Sequence, residues 1–170
     1  MTVQVASTAD GRFGTNSYLV EDSDTKDAVI IDANLESQKM VELVLARGVN
    51  VKAILLTHTD VDHVGGLPVL LAKLGPVPLA VHDAERYVLT EGKPLRRQFA
   101  VALPAMVDVL SLHDGDTYRA GSLEFEVLHT PGHSPGGVTL KIGNNLFTGD
   151  ALFAGSIGRS DFENSDGEAL

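Results

Sequence analysis

Cysteine is absent from the 170 residues. That absence excludes disulfides, thiolate zinc sites, iron–sulfur clusters and cysteine nucleophiles. Basic residues are scarce too: 13 Lys and Arg against 23 Asp and Glu leave a formal net charge of −10. A protein that grips phosphate backbones needs a basic face, so nucleic acid is not an expected partner. No apolar run approaches the ~18–20 residues needed to span a bilayer. The opening Met1–Ser7 has neither the basic nor the apolar region of a secretory signal. These absences predict a soluble, cytoplasmic chain with no membrane partner.

What remains is ordinary globular material, 44% hydrophobic and 21% charged, enough to bury a sizeable core. No repeat, low-complexity tract or charge block interrupts it, so residues 1–170 read as a single domain. Alternation over Val3–Ser7, resumed at Ser17–Glu21, and short buried runs at Asp27–Ala33, Val51–Leu56 and Val77–His82 predict strands. Helical spacing of Met40, Val41, Val44 and Leu45 before Gly48, and of Leu70, Leu71 and Leu74 before Gly75-Pro76, predicts two helices. A helical stretch is expected over Ala84–Leu89, whereas 92–105 fits either a helix lined by Lys93, Arg96 and Arg97 or solvated charge. Strands follow at Met106–Leu112, Leu123–Leu128, Gly137–Ile142 and Asn145–Phe147, the last two joined by the hairpin pair Gly143-Asn144. The fold class is α/β, with sheets covered by helices.

The chemistry concentrates where strands end. After the run closing at Leu56 come His58, Asp60, Asp62 and His63, then Gly65-Gly66 and a helix start. A strand end delivers ligands rigidly to a loop, and the i, i+2 relation points His58 and Asp60 the same way, with Asp62 and His63 further along the turn. One ion could sit on each pair. The plainer alternative is a polar loop in which Asp62 caps the next helix. Two more strand ends offer His133, in His129-Thr130-Pro131-Gly132-His133-Ser134-Pro135-Gly136, and Asp150, in Phe147-Thr148-Gly149-Asp150. Three such ends are hard to explain by turn chemistry alone. His82 and His113 have no evident partners and read as surface or capping residues.

These motifs resemble the metallo-β-lactamase-fold hydrolases, in particular the glyoxalase II-like (hydroxyacylglutathione hydrolase-like) branch. The H-x-H-x-D-H motif corresponds to residues 58–63, the H-T-P-G-H-[ST]-P-G loop to 129–136, and the F-T-G-D…G-S-I-G-R-[ST]-D signature to Phe147 through Asp161. The resemblance implies an αβ/βα four-layer sandwich with metals at the sheet edge. It implies one or two divalent ions, zinc or else iron or manganese, and a metal-bound hydroxide attacking a thioester or related acyl bond. His58, Asp60 and His133 are then expected to hold the first metal and Asp62 and His63 the second, with Asp150 bridging. Asp62 also orients the nucleophile, as the catalytic residue. His129 and Arg159 take supporting roles behind the ligands, Arg159 by anchoring its loop to a nearby carboxylate or else in a plain surface ion pair. The expected partner is a small-molecule substrate, a glutathione thioester being one candidate.

The chain departs from the pattern twice. Asp60 stands where the motif has its second histidine. A carboxylate there adds negative charge and favours iron or manganese, or else the change is inactivating. The chain also stops at Leu170, short of the family's P-G-H-G segment, and Asn164–Leu170 resemble the start of a helix. A C-terminally truncated sandwich is therefore expected, with apolar surface that invites homo-oligomerisation. Two rival readings follow: a persulfide dioxygenase-like mononuclear iron enzyme using His58, His133 and Asp150, and a catalytically impaired fragment retaining the fold. Without a cation, crowding of Asp60, Asp62 and Asp150 predicts raised carboxylate pKa values.

Overall fold

The computed structural model describes residues 1–97 and 103–170. Six strands form one mixed sheet in the order β1 (Val3–Ala9), β2 (Asn16–Asp22), β3 (Asp27–Ile31), β4 (Asn50–Leu55), β5 (Leu79–His82) and β6 (Val109–Leu112). The first two junctions are antiparallel, as tight turns allow, and β3 through β6 run parallel because helical crossovers join them. The second sheet is an antiparallel meander of β7 (Thr117–Ala120), β8 (Leu123–His129), β9 (Val138–Ile142) and β10 (Asn145–Phe147).

Helix α1 (Gln38–Arg47) buries Met40, Val41 and Val44 against the first sheet and stops at Gly48, whose φ of 61° supplies the left-handed turn. A single turn, α2 (Val61–Val64), precedes α3 (Leu67–Leu74), which buries Leu67 and Leu70 on the same face. Between the sheets lies a second apolar layer built from Val29, Ile31, Leu55, Phe125, Val127 and Leu140. The β8 strand alternates buried Leu123, Phe125 and Val127 with exposed Glu124 and Glu126, and Arg119 and Lys141 pair with those glutamates on the outer face. The protein is thus an α/β sandwich. Among the described residues, three of the four layers implied by the resemblance are present: helices, mixed sheet and meander.

Several expectations shift in detail. Strand β7 and a small hairpin, β11 (Leu152–Phe153) with β12 (Ser156–Ile157), were not among the expected strands. The stretch 84–89 splits into a 3-10 turn at Asp83–Glu85 and helix α4 (Arg86–Thr90). Of the undecided segment 92–105, residues 98–102 lie outside the described residues; Lys93 and Arg97 are exposed, but Arg96 is buried. Near Leu170 there is one turn opened by Asp166, whose carboxylate accepts from the Glu168 and Ala169 amides.

The sheets meet at one edge. The Val138 amide donates to the Thr57 carbonyl at 2.9 Å, tying the end of β4 to the start of β9. At this backbone bond the loops after β4 and β8 come face to face.

Candidate metal centre

Six side chains converge there from three strand ends. His58 and His63 approach to 4.0 Å between ring centroids, and His58 and His133 to 5.0 Å. Asp60 Oδ2 lies 2.9 Å from His133 Nε2 and 3.6 Å from His58 Nε2. Asp150 reaches both halves, with Oδ1 3.1 Å from His63 Nε2 and Oδ2 3.5 Å from His133 Nε2. Asp62 Oδ2 is 3.5 Å from His63 Nε2 and accepts the Thr15 hydroxyl. Neither Asp60 nor Asp62 caps α2 through its side chain, so the capping reading of this loop does not describe it.

The imidazoles are oriented from behind by a residue the sequence reading passed over. Asp32 follows β3 in the left-handed region (φ 61°). It accepts from the Thr57 amide and hydroxyl, both at 2.8 Å, and from His63 Nδ1 at 2.8 Å. Because the Thr57 hydroxyl proton is committed to Asp32, its oxygen accepts from His58 Nδ1 at 3.1 Å. Both histidines are thereby locked with Nε2 facing the centre, an arrangement characteristic of metal-binding imidazoles. Buried Nε2 of His58 and of His63 have no aligned hydrogen-bond partner. His58, His133 and Asp150 offer ligand atoms all within 4.8 Å of one another. Orphaned imidazole nitrogens facing carboxylates are a donor set that fits a divalent ion.

Two further buried charges hold the loops. Glu85 accepts from the Thr59 amide at 2.7 Å, the Thr59 hydroxyl at 2.6 Å and the Gly136 amide at 2.8 Å, clamping the first motif loop to the second. Arg96 donates from Nε to Asp60 Oδ1 at 2.9 Å and from Nη2 to the His133 carbonyl at 2.6 Å. A charged residue within a helix-ambiguous segment gave no periodic clue to this. For Asp32, the only signal was a carboxylate inside an apolar run.

The carboxylates are not pushed up, contrary to expectation. Burial opposes the charge of Asp60, but the hydrogen bond from His133, the neighbouring His58 and the Arg96 charge outweigh it and hold the group far below the usual range. Burial likewise opposes Asp150, yet His63, His58 and His133 lower it to about 2. The imidazoles move the other way: despite burial, Asp32 and Asp150 raise His63, and Asp60 and Asp150 raise His133. Three histidines and an arginine share the cluster, and their attraction outweighs the mutual repulsion of the carboxylates.

Arg159 makes the surface ion pair that was one of its two expected readings, whereas His129 stands apart from the ligands. Arg159 helps through its backbone, its carbonyl accepting from His133 Nδ1 at 2.7 Å, while its side chain pairs with Asp161 in solvent. His129 packs away from the cluster, stacked on His82 at 4.1 Å and donating from Nε2 to the Pro135 carbonyl. His82 accepts the Ala84 amide as a cap, and His113 pairs with Asp116 at the surface. The cluster opens into a cavity of about 550 Å³ walled by Phe13, Tyr18, Leu146, Leu152, Phe153 and Phe162.

Residues 10–169 match the Metallo-beta-lactamase superfamily, and the chain belongs to it. It is 34% identical over 164 residues to the hydroxyacylglutathione hydrolase GloC of Haemophilus influenzae, covering 93% of this chain and 76% of that protein. It is 30% identical over 142 residues to BaeB of Bacillus velezensis, a probable polyketide biosynthesis zinc-dependent hydrolase, covering 83% of this chain and 56% of that one. Among solved structures, TTHA1623 in a di-iron-bound form superimposes with a TM-score of 0.80 at 35% identity, over 96% of this chain and 81% of that one. The class is therefore a metal-dependent hydrolase superfamily. Among the described residues, no helix is long and apolar enough to cross a membrane.

Proposed function

We propose that the protein is a metal-dependent hydrolase of the glyoxalase II type, cleaving a thioester or related acyl bond of a small molecule. The observation that carries this reading is the pair of buried Nε2 atoms of His58 and His63, neither with an aligned hydrogen-bond partner, facing the carboxylates of Asp60 and Asp150 beside a cavity that His63 lines. In this reading His58, Asp60, His133 and Asp150 hold one ion, and Asp62, His63 and Asp150 hold a second. Bound metal supplies Lewis acidity and lowers the pKa of water toward ~7. Asp62, held by the Thr15 hydroxyl, orients the attacking water. The apolar wall takes the acyl portion and excludes bulk water from it. Zinc or iron is the proposed ion; BaeB is named zinc-dependent and TTHA1623 was solved with two irons.

His58, His133 and Asp150 bring three ligand atoms within 4.8 Å of one another, and Asp60 Oδ2 lies 2.9 Å from His133 Nε2 and 3.6 Å from His58 Nε2, so the first site has more candidate ligands than the second. The two sites should therefore fill unequally, with about one equivalent of metal held tightly. Thiol release from acyl-glutathione substrates by zinc- or iron-reconstituted protein, beside metal analysis, tests the reading. No turnover with either metal would overturn it, and two tightly held equivalents would overturn the unequal filling. The same His58, His133 and Asp150 set also suits a mononuclear iron site with two histidines and one carboxylate. Oxygen consumption with a glutathione persulfide by the iron form would favour that second reading, a persulfide dioxygenase.

A further inference from the structure

Asp60 occupies the motif position of an imidazole but carries a charge that an imidazole does not. At 7% exposure it is nearly sealed from water, as is Arg96 at 4%. The two meet as a charge-assisted pair, Arg96 Nε to Asp60 Oδ1 at 2.9 Å. This leaves Oδ2 as the oxygen turned toward His133 Nε2 and His58 Nε2. The same guanidinium reaches the His133 carbonyl through Nη2 at 2.6 Å and lies 4.6 Å over the Phe162 ring. Arg96 therefore touches both candidate ligands of the first site that come from different loops. Its Nη1 is buried without a hydrogen-bond partner. A guanidinium so placed is costly to bury without its carboxylate.

We propose that Asp60 and Arg96 work as one unit in place of the imidazole: Asp60 offers Oδ2 alone to the ion, while Arg96 holds Oδ1, cancels the charge and fixes the His133 loop. Arg96 is then a positioning residue of the metal centre. The unit has net charge zero, as a neutral imidazole does, so Asp60 adds no net charge to the site and the charge argument for iron or manganese over zinc is removed. It also follows that restoring the motif histidine cannot by itself improve the site, because Asp60→His strands a buried guanidinium beside a dication.

The inference rests on reading the centre as a metal site, and a double-mutant cycle separates the two. Cobalt affinity and the cobalt d–d absorption are measured for the unmodified chain, Asp60→His, Arg96→Gln and the double variant. Asp60→His should weaken cobalt binding about tenfold, and adding Arg96→Gln should recover most of that loss, whereas Arg96→Gln alone should weaken binding. Equal effects of Arg96→Gln in both backgrounds would overturn the unit. Arg96→Lys, which keeps the charge but not the fork, should bind better than Arg96→Gln; no difference between them would overturn charge cancellation. Melting temperatures of the metal-free chains give an independent cycle, expected to show each single variant less stable than additivity with the double allows. Additive melting shifts would count against the pair. An unmodified chain that takes up no cobalt would overturn the metal reading while leaving the melting cycle to judge the pair.

Discussion

At the floor of the cavity, His58, His63 and His133 are no more than 6% exposed, and each is held by a hydrogen bond to its Nδ1. At the rim, Leu152 and Phe153 are 57% and 45% exposed on a two-residue-per-strand hairpin. The floor is polar yet dry, so its stability depends on every charge having a partner. The rim is apolar yet wet, and little of its packing is at stake. Buried charges such as Asp32, Glu85 and Arg96 thus serve to fix direction, while the exposed apolar side chains are free to set what is bound.

The comparison breaks most visibly if the floor is unclamped. Glu85→Ala leaves three buried donors on Thr59 and Gly136 without an acceptor. Urea denaturation should show a loss of about 3–5 kcal/mol; a loss below about 1 kcal/mol would mean water replaces the carboxylate. Next in size, Asp32→Asn should release the imidazole orientation of His63 and lower metal affinity roughly 10–100-fold while the fold persists. Unchanged affinity would show that the orientation is set elsewhere.

A smaller effect is expected from pH. His63 and His133 have raised pKa values in the metal-free fold. Stability from their protonated forms is complete below about 6.5 and is lost as pH rises through the raised values. Metal requires the deprotonated rings, so its affinity should climb with pH through and beyond that range, and uptake at neutral pH should release protons. Calorimetry in buffers of different ionisation heat measures the release; none at all would contradict the raised values. Smallest in stability is the rim: Phe153→Ser should change melting by no more than about 0.5 kcal/mol. It should raise KM for long acyl chains and leave metal content alone, and an unaltered KM would remove the rim from recognition.

Much of this protein was legible before folding. The apolar runs of β3 and β4, the alternation of β8 and the spacing of α1 and α3 are local patterns, set by which faces are buried. His58, Asp60, Asp62, His63, His133 and Asp150 sit in dense polar clusters at strand ends, which local turn chemistry does not account for. Strand β7 was not legible, since Thr117-Tyr118-Arg119-Ala120 alternates over only four residues, with no continuous apolar run to mark it.

The amino-acid order therefore determined the elements and the ligand-bearing loops, because periodicity and strand-end clustering are properties of neighbours in the chain. Only the tertiary structure decided which charges neutralise which. Arg96 lies 36 residues from Asp60, Glu85 lies 51 from Gly136, and Asp32 lies 31 from His63. Coulomb and hydrogen-bond energies depend on distance and desolvation rather than on sequence separation. For that reason the direction of the carboxylate pKa values, and the partner that makes Asp60 tolerable at an imidazole's place, emerge only when the two sheets close on each other.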